Sequence, residues 1–169
     1  MPLDFEEFIA FDSKHQSTTI SFNNFLKYGN LADIIEYKEN KKTKRNNELL
    51  RLITEHQTKK EIILTLIKSI GQTHSPFHLF SSLKKEIKIS KDMFYNTVSE
   101  LEANHTLLLC PKYNHEKAPK KIFFYNYAFR ENITYKKNFS HVFANMIYLE
   151  LFNKSFEIYY LDGIDFYIP

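Results

Sequence analysis

Apolar residues recur at a helical spacing from residue 49 to residue 101, and each repeat is bounded by residues that start or stop helices. Between Glu48 and Gly71 this spacing predicts two helices or one long bent helix. Ser75, followed by Pro76, opens the next helix, and Ser90 caps the last one. The middle of the chain is therefore predicted to hold a succession of packed helices.

After residue 104 the period changes, because the apolar residues now form runs of strand length. Leu107–Leu109 and Ile122–Tyr125 are two such runs, and the polar stretch 111–121 separates them. Three helices followed by a hairpin is the element order of a winged helix-turn-helix, in which the loop between the strands is the wing. We predict such a unit over residues 59–127.

Shorter patterns precede this unit. One short helix is predicted within residues 2–11, and a second runs from Ser21, which can cap it, to Tyr28, with Gly29 as its stop. Lys38–Asn47 has no apolar residue and five positive charges, so it is predicted to be a solvated connection and a domain boundary.

After the unit, the pattern predicts a helix over residues 140–152. Two strands follow, Phe156–Tyr160 and Ile164–Ile168, joined at Asp162-Gly163. The predicted fold class is α+β, mainly helical, with a winged helix-turn-helix centre. The predicted segments are 1–47, 48–130 and 131–169.

Composition limits the function classes without choosing one. The chain has 169 residues, of which 43% are hydrophobic, and a net charge of +3, so a nucleic-acid partner is permitted but not required. No apolar stretch approaches the roughly 20 residues that span a bilayer, and the first residues lack the layout of a signal peptide. We therefore expect a cytoplasmic chain with no membrane partner.

The residues most often used for metal or thiol chemistry are sparse. Cys110 is the only cysteine, which excludes an internal disulfide, and its apolar neighbours favour a buried side chain over a catalytic thiol. His74 and His78 are a close pair, but Pro76 lies between them and no third ligand is visible nearby. No metal and no cofactor are predicted.

The second helix of a helix-turn-helix is the one that enters a major groove, so outward residues of the Ser90 helix are candidate DNA contacts. Met93, Phe94, Val98 and Leu101 are predicted to face inward. The predicted contacts are Lys91, Tyr95, Asn96 and Thr97. Asp92, Glu100 and Glu102 share the helix and would repel a phosphate backbone.

The wing offers a second candidate surface. It carries the lysines Lys112, Lys117, Lys120 and Lys121, which could follow a phosphate backbone. The alternative is that these lysines only keep an exposed loop solvated.

Two motifs resemble a family of prokaryotic AAA+-type ATPases. Pro2–Phe8 is similar to the PLSFEEF segment that follows the nucleotide-binding core in that family. Asn145–Leu151, with Ile158–Tyr160 and Gly163–Phe166, resembles its C-terminal domain of unknown function. The Phe-rich segment between residues 22 and 30 and the winged helix also fit the family's layout.

This resemblance implies an ATPase domain before residue 1 and a truncated, restriction-endonuclease-like α/β tail. The chain itself contains no Gly-x-x-x-x-Gly-Lys-Ser/Thr, so it offers no cradle for nucleotide phosphates. In the tail, Asp165 matches the family's strand aspartate and Glu150 its helix glutamate. Ala144 and Gly163 stand where the family has further glutamates, so the nuclease-like site is expected to be incomplete.

These observations favour a non-enzymatic winged-helix module, part of a split or truncated ATPase, that binds DNA or protein. A second hypothesis is a module for protein interaction or dimerisation that docks a separate ATPase subunit, because the strand Ile164–Ile168 could pair with another chain. A third is a metal-dependent nuclease that uses Glu150 and Asp165.

Overall fold

The computed structural model describes residues 2–12, 17–55, 57–134 and 138–169. Within these ranges helices predominate, and the strands form two small antiparallel sheets. The prediction of a mainly helical α+β chain is therefore confirmed. Among the described helices, none is both long enough and apolar enough to cross a membrane.

The first part of the chain is helical, and its elements are α1 (Phe5–Phe11), α2 (Thr18–Tyr28), α3 (Ala32–Ile35) and α4 (Glu39–Ile53). Asp4 and Glu7 form a capping box at the start of α1. Ser17 caps α2, so the prediction that Ser21 caps it is wrong. Ser21 is buried one turn inside the helix, where its hydroxyl donates a hydrogen bond of 3.1 Å to Asp12.

The stretch Lys38–Asn47 is not an irregular solvated connection, because it forms the first turns of α4. Two of its polar side chains are buried. The Lys42 ammonium lies 5.4 Å from the centre of the Tyr28 ring. The Asn46 amide donates a hydrogen bond of 2.7 Å to the Tyr28 carbonyl at the end of α2. A helix face without apolar residues is thus buried by polar and cation–π contacts.

The middle of the chain has the order α5 (Gln57–Lys68), β1 (Thr73–His74), α6 (Pro76–Glu86), α7 (Lys91–Ala103), β2 (Leu107–Cys110) and β3 (Lys120–Phe124). Strand β3 is central, with β1 and β2 antiparallel on either side of it. Ser75 caps α6 and Ser90 caps α7, as predicted. Strand β1 was not predicted, because two residues are too few to show a period.

The last part of the chain contains α8 (Ala128–Ile133), α9 (Phe139–Asn153), β4 (Tyr159–Leu161) and β5 (Ile164–Tyr167). The predicted turn at Asp162-Gly163 is confirmed, and Gly163 has a φ of +77° there. The first strand is shorter than predicted, since Phe156 lies outside it and is 46% exposed. Helix α8 was not predicted.

Both faces of the three-stranded sheet are covered. Side chains alternate along β3, so Ile122 and Phe124 join the buried cluster under α5, α6 and α7, whereas Phe123 joins a second cluster. That second cluster includes Phe8 of α1 and Leu149 of α9. Burial on both faces explains why the strands read as continuous apolar runs.

Candidate nucleic-acid interface

Helix α7 packs one face into the cluster under the sheet and leaves the other accessible. Phe94 and Leu101 are buried, while Lys91 and Asn96 are exposed. Tyr95 is half-buried, and the Lys91 ammonium lies 5.7 Å from the centre of its ring. Three predicted contact residues, Lys91, Tyr95 and Asn96, therefore lie on one accessible stretch at the start of the helix.

The orientation of two other α7 residues differs from the prediction. Thr97 is only 2% exposed, and its hydroxyl donates a hydrogen bond of 2.8 Å to the Met93 carbonyl. Met93, predicted to face inward, is 39% exposed. The buried stripe runs through residues 94, 97, 98 and 101, at the i, i+3, i+4, i+7 spacing of one helix face. Thr97 falls inside this stripe, so it is not available to a ligand.

A group of lysines lies in the turn between α6 and α7 and on the helix ends that flank it, and the sequence pattern predicted only one of them, Lys91, as a contact. Its members are Lys84, Lys85, Lys88 and Lys91, all of them exposed. Ile89 is buried and anchors the extended turn, which directs the neighbouring Lys88 side chain outward. Among the described residues, no carboxylate forms an ion pair with these lysines.

We call these four residues the turn lysines. Lys84, Lys85 and Lys88 were missed as candidates, although the spacing Lys84-Lys85-x-x-Lys88-x-x-Lys91 directly before the helix was a visible signal. Glu86 and Asp92 are also exposed and offset part of the charge. On the far side of α7, Glu100 accepts a hydrogen bond of 2.5 Å from Lys59, so its charge is partly compensated.

The wing lysines fall into two groups. Lys112 donates to both carboxylate oxygens of Asp162 at 2.7 Å, and Lys121 forms an ion pair with Asp165. The ammonium of Lys112 lowers the pKa of the Asp162 carboxyl. Lys117 is exposed and Lys120 is half-buried, and neither forms an ion pair within the described ranges. Half of the predicted wing surface is thus occupied by carboxylates of the chain itself.

β4, the turn Asp162-Gly163 and β5 form a hairpin, which we call the tail hairpin. The carboxylates reach the wing because the tail hairpin packs against it. Backbone hydrogen bonds of 3.0 Å join Tyr113 to Tyr160 and Tyr160 to Pro111. The Tyr160 hydroxyl donates a hydrogen bond of 2.5 Å to the Pro119 carbonyl. The Tyr113 and Tyr167 rings pack edge to face, with centres 4.7 Å apart.

No family model, curated protein or solved structure matches this chain. The relation to AAA+-type ATPases stays a prediction that depends on the two sequence motifs.

The two nuclease-like candidates take part in different structural contacts. Glu150 accepts a hydrogen bond of 2.8 Å from the backbone N–H of Phe5, in the first turn of α1. Burial raises the pKa of the Glu150 carboxyl. Asp165 is engaged with Lys121 on the wing. In the parts of the chain that the structure describes, no three His, Cys, Asp or Glu side chains are placed to hold a metal ion together.

The cysteine and the histidine pair also make structural contacts. Cys110 is buried, as predicted, and burial raises the pKa of its thiol to about 12. His74 and His78 stack face to face, with ring centres 5.8 Å apart. Burial and the neighbouring His78 lower the pKa of His74, whose ring is within 2.9 Å of the Gln72 side-chain oxygen.

Proposed function

We propose that residues 57–127 form a winged helix-turn-helix that binds duplex DNA without catalysing a reaction on it. The order helix, strand, helix, helix, strand, strand, with β3 between β1 and β2, supports this assignment. The observation that carries the DNA proposal is the set of exposed turn lysines, which runs from the end of α6 to the first residue of α7. In this class of module the start of the second helix, here α7, approaches the major groove.

The placement of Lys91 adds to the electrostatic case. It lies in the first turn of α7, where the helix dipole disfavours a cation by a few tenths to about 1 kcal/mol. A phosphate bound beside Lys91 would relieve that repulsion and accept hydrogen bonds from the turn lysines. Asn96, exposed on the same stretch, can hydrogen-bond the edge of an adenine.

The balance of charges favours binding with little sequence preference. Asp92 and Glu102 remain on α7, and within the predicted set on that helix only Lys91 and Asn96 are exposed side chains that can bond a base edge. Contacts between lysines and phosphates form with any base sequence. They weaken steeply with salt because counterions are released on binding. The proposed module is therefore a backbone-binding unit.

The test is the salt dependence of duplex binding, measured by fluorescence anisotropy at salt concentrations from about 50 to 200 mM. Replacing Lys85, Lys88 and Lys91 by Gln should weaken binding and make the slope of log K against log salt shallower by about 0.9 for each lost phosphate contact. The matched control replaces three exposed lysines elsewhere, Lys41, Lys44 and Lys154, by Gln. Equal effects of the two triple variants, or no binding by the wild type at low salt, would exclude the proposal.

A second candidate function is protein association through β5. This strand lies beside β4 at the edge of its sheet; Ile164 at its start and Ile168, just after its end, are 49% and 40% exposed. Such an edge can add a strand from a second chain, including a separate ATPase subunit of the kind that the resemblance implies. A monomeric mass in sedimentation equilibrium at high protein concentration, with no change for Ile164→Lys, would count against self-association.

A further inference from the structure

The tail hairpin places two carboxylates on two wing lysines. Asp162, in the tight turn, and Asp165, in β5, lie three positions apart and reach Lys112 and Lys121 respectively. Lys112 lies near the start of the wing, two residues after β2, and Lys121 lies just after it, in β3. Both ends of the wing are therefore neutralised by one small element of the same chain.

The two sides of these ion pairs differ in exposure. The Lys112 and Lys121 side chains are 21% and 12% exposed, whereas those of Asp162 and Asp165 are 87% and 71% exposed. The Lys121 ammonium also lies over the Tyr160 ring, 5.4 Å from its centre. The lysines are thus held in place by packing, and the carboxylates approach them from the solvent side.

We propose that Asp162 and Asp165 act as an internal competitor for DNA, because they occupy the positions that backbone phosphates would take on Lys112 and Lys121. This inference rests on the proposed DNA-binding function and adds a regulatory element to it. A carboxylate and a phosphodiester are both anions that accept hydrogen bonds from an ammonium group, so one can replace the other on the same lysine.

Exchange does not require the hairpin to detach. Its backbone hydrogen bonds run through Tyr160, in β4, and the aspartates extend from the turn and from β5. The two carboxylates are 87% and 71% exposed, so they keep most of their contact with water in the ion pairs. An arriving phosphate can therefore displace a carboxylate, which then rotates into water. The hairpin therefore limits the affinity of the wing without blocking access to it.

The experiment compares Asp162→Asn with Asp165→Asn, singly and together, in the anisotropy assay. We expect the double variant to bind duplex DNA about three- to tenfold more tightly at low salt, with a steeper salt slope by up to about 1.8, which corresponds to two added phosphate contacts. Each single variant should give roughly half of the change in slope. The matched control is Glu116→Gln with Glu157→Gln, which removes the same charge from exposed positions outside the two ion pairs.

A further variant assigns the gain to the two lysines. Adding Lys112→Gln and Lys121→Gln to the double Asn variant should abolish the gain in affinity and in slope. If the control variant gains as much as the double Asn variant, only general repulsion has been relieved and the competitor proposal is overturned, while wild-type binding through the turn lysines still stands. If neither the wild type nor the double Asn variant binds at low salt, both proposals fail. Circular dichroism melts check that each variant is folded.

Discussion

The side-chain amide of Asn126 donates a hydrogen bond of 3.0 Å to the side-chain oxygen of Asn46, in the buried interior of the protein. Asn46 in turn donates to the Tyr28 carbonyl at 2.7 Å, and Asn126 accepts from the backbone N–H of Ala128 at 3.0 Å. The two amides therefore join the end of α2, the middle of α4 and the start of α8. This network lies where the sequence pattern predicted a solvated linker.

Replacing Asn46 by Ala should destabilise the fold strongly. It removes two buried hydrogen bonds and leaves the Asn126 amide and the Tyr28 carbonyl without those partners, at a cost of about 2 to 3 kcal/mol. Urea unfolding followed by circular dichroism would measure the difference. The neighbouring Asn47→Ala, at an exposed position of the same helix, is the control and should change the free energy of unfolding by less than about 0.5 kcal/mol.

Asn145 should be comparably sensitive, because it acts as an extra hydrogen-bonding partner for β3. Its side chain accepts from the Phe124 N–H and donates to the Phe124 carbonyl, both at 2.8 Å, and Asn145 is fully buried. Asn145→Ala leaves both backbone groups without this partner, so we expect a loss of about 2 to 4 kcal/mol in urea unfolding. A loss below about 1 kcal/mol would show that water hydrogen-bonds the two Phe124 backbone groups in the variant.

The Cys110 thiol should resist modification in the folded protein. It is fully buried, and its Sγ lies 3.6 Å from the Ile158 carbonyl oxygen. With a pKa of about 12, the thiol stays almost entirely protonated at pH 9, and the thiolate is the reactive form. Native protein should therefore react with a thiol reagent at least about a hundredfold more slowly than protein in urea. If a thiol reagent instead labels Cys110 rapidly in the native protein, the thiol is reactive and a catalytic role must be considered again.

The stability of the fold should depend on pH through Glu150. Burial raises the pKa of this carboxyl from its ordinary value of 4.5, and the hydrogen bond from Phe5 only partly opposes that shift. Its protonated form is thus favoured by folding, so the stabilising contribution is complete below the unfolded pKa and is lost as the pH rises through the folded pKa.

Glu150→Gln keeps an acceptor oxygen but removes the charge. We therefore expect this variant to be at least as stable as the wild type at pH 7, with the difference shrinking toward about pH 4, where the glutamate is increasingly protonated. Thermal melts across this pH range, with the exposed Glu157→Gln as the control, would measure it. A variant that is clearly less stable at pH 7 would mean that the hydrogen bond to Phe5 outweighs the burial of the charge.

The spacing of apolar residues predicted the helices and strands that bury an apolar face. It did not predict the part of α4 whose buried side chains are polar. The caps at Ser75 and Ser90 and the apolar runs of β2 and β3 were visible, because each has a local chemical signature. The helix α4 was missed at Lys38–Asn47 because the partners that bury Asn46 come from residues far along the chain. No local pattern encodes a contact across 80 positions.

The same limit applies to the candidate site. The wing lysines could be listed from the sequence, but their pairing with Asp162 and Asp165 depends on how the tail hairpin docks. Thr97 was placed outward because it is polar, although its spacing from Phe94 puts it on the buried face. Its hydroxyl donates a hydrogen bond to the Met93 carbonyl one turn back, which is a common way for threonine to be buried in a helix.

Asn96 and Thr97 therefore make a contrasting pair that tests the proposed orientation of α7. Asn96 is exposed, so Asn96→Ala should change the free energy of unfolding by less than about 0.5 kcal/mol while weakening DNA binding or relaxing its residual sequence preference. Thr97 is buried, so Thr97→Tyr should destabilise the fold by about 1 to 3 kcal/mol through overpacking.

A Thr97→Val variant sharpens the comparison, since it keeps the volume and removes only the hydroxyl that bonds the Met93 carbonyl. Because the side chain does not reach the surface, DNA affinity should be unchanged in Thr97→Val under conditions where the protein is fully folded. Unfolding in urea and anisotropy titrations on the same preparations give both quantities. If Thr97→Val lowers DNA affinity as much as Asn96→Ala does, α7 presents a different face from the one described, and the proposed docking of its first turns against the duplex must be revised.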